Sequence, residues 1–179
     1  MPNVCFAFHN LSITTTPASE NASFPLEIRL LGGFDVRVNG TSLTELRQWE
    51  QSLLARIVLL HGREISRNWL ARSVWPDREE EQAIFYLRKA ITTLREALGS
   101  EGKRLQSTGS RTLKLDLTGS FVDVLSFDQA CRSSDRGELQ AAANLYQGPF
   151  LPDCPDQWAT LERENRERAY QAVRERLGS

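Results

Sequence analysis

Nine residues in the middle of the chain carry side chains suited to gripping a polyanion and reading its edges. They are Ser66, Arg67 and Asn68, then Arg88, Lys89, Thr92 and Thr93, and finally Arg111 and Lys114. Lysine and threonine can supply what a base edge asks for in the major groove: donors for purine acceptors and small groups for the thymine methyl. Arg88 is long enough to reach a phosphate from the flank of its helix. Ser66-Arg67-Asn68 open a helix whose free amide end suits a phosphate. Arg111, beside Ser110 at a turn, suits a minor-groove or phosphate contact, with Lys114 three residues further on.

Other chemistries lack material. His9 and His61 are the only histidines, too few for a His-based relay or an ordinary metal site. Cys5, Cys131 and Cys154 are odd in number, far apart and without a CxxC pair, so neither a disulfide framework nor a zinc site is expected. Gly32-Gly33 lacks the GxGxxG spacing, and no GxxxxGK[ST] loop occurs. Glu79, Glu80 and Glu81 read as a solvated helix start rather than a convergent catalytic pair. The expectation is a protein that is not an enzyme and needs no cofactor and no metal.

The elements that must position these residues come from an ordinary globular composition. Of 179 residues, 40% are hydrophobic and 25% charged, which excludes collagen-like and wholly disordered classes. The net charge of −1 conceals an asymmetry: residues 26–118 carry +3 and residues 119–179 carry −3. A mildly basic middle permits nucleic-acid binding. No stretch is apolar enough to span a bilayer, and the first residues lack a basic n-region, so a cytoplasmic protein with no membrane partner is expected.

Residues 1–25, rich in Ser, Thr, Asn and Pro, read as a flexible leader. LEIRLL at 26–31 and FDVRV at 34–38, followed by Asn39-Gly40, predict two or three short antiparallel strands across 26–44. A helix is predicted over 46–61, closed by Gly62. Ser66 caps a short second helix that Pro76 ends at Trp75. Asp77 is expected to cap a third helix over 79–98. There Ile84, Leu87, Ile91, Leu94 and Leu98 form the inward stripe, and Phe85, Lys89, Thr92, Thr93 and Glu96 face outward. After Gly99 a loop carries Lys103 and Arg104, and residues 105–117 alternate as a hairpin. Strands, three helices and a hairpin make a winged helix-turn-helix, with 79–98 as recognition helix and 105–117 as wing. Beyond it, 124–134, 138–146 and 156–177 read as helices around the proline-rich connector QGPFLPDCPD. Trp69 and Trp75 are read as packing residues, Trp49 as partly exposed, and Trp158 as the anchor of the last helix.

Several phrases then resemble a known family: LEIRLLGGFDVRVNG, LLARIVLLHGREISRNWLARSVWPD, LRKAITTLREALG, FVDVLSFDQAC and LYQGPFLPDCPDQWATLERE. Over roughly residues 26–177 they look like the SARP-type transcriptional activators, which join an OmpR/PhoB-like winged helix to an all-helical bacterial transcriptional activator domain. The resemblance implies a four-stranded sheet before the helices and a second domain of tetratricopeptide-like (TPR-like) helix pairs. The fold class expected is therefore an α+β winged helix-turn-helix with an N-terminal antiparallel sheet (26–118), followed by an incomplete all-α TPR-like segment (119–179). The chain is accordingly expected to be part of a longer protein. The resemblance further implies an activator that reads direct-repeat half-sites in double-stranded DNA, with RNA polymerase and a homodimer on DNA as partners. The resemblance leads one to expect arginine in many relatives where this helix has Phe85, Thr93 and Glu96. The alternative is a non-enzymatic interaction or signalling module that keeps the winged-helix fold with weakened DNA binding.

Overall fold

The computed structural model describes residues 24–43 and 46–178. The leader expectation, with Cys5 and His9, falls outside the described residues apart from Phe24 and Pro25. In chain order the elements are β1 (Leu26–Arg29), β2 (Asp35–Val38), β3 (Thr41–Ser42), α1 (Gln48–Leu59), β4 (Ile65–Ser66), α2 (Arg67–Val74) and α3 (Glu80–Ala97). A 3₁₀ helix (Gly99–Arg104) follows, then β5 (Leu105–Ser107), β6 (Thr112–Leu115), β7 (Phe121–Val122), α4 (Asp123–Ala130), α5 (Arg136–Leu145) and α6 (Gln157–Gly178).

The first three strands form an antiparallel meander in which Leu26, Ile28 and Val36 point into the core. Asn39 and Gly40 take φ of 50° and 81°, the pair of positive values that a two-residue hairpin loop needs. The four-stranded sheet does not lie wholly before the helices, as the resemblance implied. Its order is β3-β2-β1-β7, and the fourth strand comes from residues 121–122, running parallel to β1. A parallel partner cannot be reached through a hairpin, so it has to come from a distant part of the chain.

Asp123 fixes that junction. Its carboxylate, 3% exposed, accepts the backbone N–H groups of Leu30 and Leu31 at 2.9 Å and of Val124 at 2.6 Å. Burial raises its pKa, and the three amide donors pull the other way. The proline-rich connector closes over the same strand end. Leu31 bridges Phe150, Leu151 N–H donates to Leu30 O at 2.9 Å, and Gly32 N–H donates to Pro149 O at 3.0 Å. A side chain at Gly148 would meet the Gly32 backbone at 3.0 Å, so this crossing needs both positions bare. One apolar core, from Leu26 through Phe127 and Phe150 to Val173, runs through both halves of the described chain.

Two local expectations are corrected. Asp77 does not cap α3, which begins three residues later with Glu79 at the cap position and no side-chain cap bond. The loop after Gly99 is a 3₁₀ helix packed so tightly on α3 that a Cβ on Gly102 would meet Arg95 O at 2.3 Å. Arg104, expected on that loop, pairs with Glu101 and donates to Thr118 O at 2.7 Å.

Candidate nucleic-acid interface

The second helix starts where the sequence predicts. Ser66 Oγ accepts the Trp69 amide at 3.4 Å, and Trp75, before Pro76, is the C-terminal cap. Leu70 and Ala71 are buried, while Asn68 and Trp69 face solvent. Trp69 is 51% exposed, which corrects its reading as a packing residue. With Leu70 and Ala71 turned inward, helical geometry puts position 69 outside. Trp75 does pack, its ring 5.7 Å from Trp49 and 6.0 Å from Tyr86.

The third helix buries Ala83, Leu87, Ala90, Ile91 and Leu94, with Leu98 at its end. Four of the five expected stripe positions are buried and Ile84 is half-buried. The two alanines were missed because their small side chains give almost no hydrophobic periodicity. Phe85, Lys89, Thr92 and Glu96 are exposed and fall within about 60° of one another at 100° per residue. Arg88 is exposed beside them, whereas Thr93 is half-buried. Thr92 gives its hydroxyl to Arg88 O at 3.1 Å, and Lys89 Nζ sits 4.6 Å above the Phe85 ring.

The hairpin β5–β6 joins the helices through an addition that the sequence pattern did not reveal. β4, the two residues before α2, pairs antiparallel with β6, giving a three-stranded sheet of order β4-β6-β5. Arg67 N–H donates to Arg111 O at 2.9 Å, so the start of α2 is stapled to the hairpin. Arg67 also sends its guanidinium to Ser107 Oγ at 2.8 Å. Arg95 reaches the same oxygen from α3 at 3.0 Å and donates twice to Leu105 O, at 2.9 and 2.6 Å. Two cations therefore share one exposed hydroxyl, and among the described residues neither has an ion pair. Burial, then the nearby Arg95 and Arg88 charges, lower the Arg67 pKa.

The nine sequence-selected residues thus divide. Ser66 ends β4 and caps α2, Arg67 lies on α2, Arg88, Lys89, Thr92 and half-buried Thr93 lie on α3, and Arg111 is at the hairpin turn, joined by Arg95 of α3, which is not among the nine. Asn68 is committed to Glu80 Oε1 at 2.6 Å, bracing the two helix starts. Lys114 stands apart. It is half-buried and opposite Gln106, on the hairpin face that lines a 520 Å³ cleft with His61 and Gln129. The neighbouring pair Ser107 and Leu113 faces α2 and α3 instead. Glu81 and Glu96 bracket the outward stripe with negative charge.

His61 meets the end of α1, Nδ1 lying 3.1 Å from Val58 O. Burial raises the Cys131 thiol pKa. Trp158 holds the start of α6: its N–H donates to Asp156 at 3.1 Å and its ring lies under Arg56 and against Phe150. No helix among the described residues is long and apolar enough to cross a membrane.

The chain is 25% identical over 158 residues to the regulatory protein AfsR of Streptomyces coelicolor, a match covering 82% of this chain and 16% of AfsR. A solved structure of Mycobacterium tuberculosis EmbR in complex with a low-affinity phosphopeptide superposes with a TM-score of 0.63 at 21% identity. That match covers 86% of this chain and 45% of EmbR. No family model matches the chain. The chain therefore spans a small part of the curated relative and less than half of the structural one. The EmbR match shows a shared mixed α/β fold of small sheets and several helices. The AfsR match supports the resemblance to SARP-type regulators.

Proposed function

We propose, from the similarity to SARP-type regulators, that this chain is the DNA-reading part of a transcriptional regulator of the activator kind. Residues 26–118 act as a winged helix-turn-helix in which α3 enters the major groove and the β5–β6 hairpin is the wing. Residues 119–179 begin a TPR-like helical unit whose first strand completes the N-terminal sheet. The observation that carries this reading is the pair of guanidinium groups, Arg67 and Arg95, converging on Ser107 with no carboxylate between them. It adjoins a helix face that offers Arg88, Lys89 and Thr92 to solvent. A half-exposed cluster of like charges with no carboxylate beside it is a place where a polyanion gains.

In this reading Arg88 and Arg111 contact phosphate, and Lys89 and Thr92 face base edges, with half-buried Thr93 at the margin of that face. The start of α2 at Ser66, Arg67 and Asn68 lies against the backbone, while Lys114, on the cleft side of the hairpin, stays off the duplex. Tandem binding to direct repeats then puts half-sites about 10–10.5 bp apart, with a second copy and RNA polymerase as partners. The protein works on DNA in the cytoplasm and catalyses no reaction. Selection of duplexes from a random pool, followed by anisotropy at two salt concentrations on selected and scrambled DNA, tests it. A site preference with a steep salt slope supports it; equal, weak binding to both duplexes overturns it.

A second reading is an interaction module with little DNA affinity. Exposed Trp69 and Phe85, on the same helices that carry the cations, favour it. In that case the duplex experiment gives no preference.

A further inference from the structure

We infer that Phe85 is a specificity residue that recognises a pyrimidine 5-methyl group, that of thymine, in the major groove. The inference rests on the DNA-reading role of α3 proposed above. Phe85 is 50% exposed and stands on a stripe whose other members, Lys89, Thr92 and Glu96, are all polar. It lies in the N-terminal part of α3, the part from which a recognition helix reaches base edges.

Two neighbours hold the ring. Lys89 Nζ lies 4.6 Å from its centroid, and the Tyr86 ring meets it edge-on at 5.9 Å and 62°. Tyr86 is itself fixed by Trp75 at 6.0 Å and by Arg78 at 5.8 Å. The result is a prepositioned apolar surface set among cations.

A phenyl ring has no donor for phosphate and none for a purine acceptor. What the major groove offers such a ring is the C5-methyl of thymine; 5-methylcytosine carries the same group at the same place. An apolar protein partner would also bury the ring. Glu81 and Glu96 bracket the stripe with negative charge, but Arg78, Arg88 and Lys89, with the Arg67–Arg95 cluster nearby, outnumber them and favour the polyanion.

The test uses the full 179-residue chain and the duplex it selects from a random pool. Each thymine is replaced in turn by deoxyuridine, which removes only the methyl, and each cytosine by 5-methylcytosine. At one thymine, the change to deoxyuridine should weaken wild-type binding about fourfold, the worth of one buried methyl-sized group. Phe85→Ala should bind thymine and deoxyuridine duplexes equally, with an unchanged thermal melt, and Phe85→Leu should keep part of the discrimination. Site-specific binding with no methyl effect at any thymine overturns this inference and leaves the regulator reading standing. A methyl effect that survives in Phe85→Ala also overturns it. Binding with no site preference at all overturns both.

Discussion

In the C-terminal third of the molecule, the charges set against the core are met by partners. Arg166, buried beside Phe150, pairs with Asp128 at 2.7 Å and Glu162 at 2.5 Å. Arg163 gathers the carbonyls of Phe150, Leu151 and Cys154. Asp123 takes three amides. Around α2, α3 and the hairpin the pattern is reversed. Arg67 and Arg95 share one hydroxyl, and among the described residues Arg88 forms no ion pair. The difference separates charge neutralised inside the fold, as at Arg166, from charge that is hydrogen-bonded or exposed but meets no carboxylate. Directed partners make the first kind costly to remove. The second kind keeps its field for something outside the chain.

The largest break in this comparison is Asp123→Ala. It strips the acceptors from three buried amide donors at the junction of β1, the connector and α4, and should cost about 3 kcal/mol. A denaturant titration should show the midpoint falling with an unchanged m-value. A loss below about 0.5 kcal/mol, typical of a surface change, would show that the carboxylate is not the clasp.

Lys89→Ala should do the opposite. Stability should move by no more than about 0.5 kcal/mol, while affinity for the selected duplex falls by roughly 1–3 kcal/mol and one motif position relaxes. Unchanged binding would remove Lys89 from the base-reading set. Glu96→Lys sharpens the same point in reverse, raising affinity for selected and scrambled duplexes alike.

Periodicity made one side of this comparison legible. Leu87, Ile91, Leu94 and Leu98 face inward because a helix repeats every 3.6 residues, and that alone exposes Lys89 and Thr92. Ser66 and Pro76 mark the ends of α2 through purely local chemistry. What the sequence did not reveal was decided between distant segments. Two-residue strands such as β4 and β7 carry too little pattern to name a partner. A helical wheel puts Arg95 on the flank of α3 but cannot show the strand carbonyl that its guanidinium binds. Trp69 erred the other way, since a large apolar side chain suggests burial wherever it falls.

Tyr146→Phe should give a smaller, pH-dependent effect in the partnered third. The phenol donates to Glu167 at 2.5 Å and stacks on Tyr170 at 4.2 Å. Burial, then the Glu167 bond, raises its pKa well above the ordinary tyrosine value. The folded state thus keeps a proton that the unfolded chain gives up near pH 10, so this contribution is full below pH 10 and declines as pH rises beyond it. Losing the hydroxyl should cost about 1 kcal/mol at pH 7 and flatten part of the alkaline decline. Parallel denaturant curves at pH 7 and above pH 10 would read both.

The smallest expected effect separates the two faces of the hairpin. Arg111 is exposed at the turn, and its carbonyl is already held by the Arg67 amide, which fixes where its side chain starts. Lys114, three residues later, is paired with Gln106 on the side that lines the cleft with His61 and Gln129. If the wing meets DNA with the face shared by Ser107 and the turn, Arg111→Ala should lower affinity on every duplex by a similar factor. It should also flatten the slope of log K against log salt by about one unit, since one phosphate contact releases about one counterion. Lys114→Ala, measured over the same salt series, should leave the slope within error of wild type. Neither change touches the buried leucines of the hairpin, so the melts should coincide. Equal slope changes for both variants would mean that the backbone runs along the edge of the hairpin rather than across one face. A slope lost only with Lys114→Ala would turn the wing over and move the interface to the cleft side.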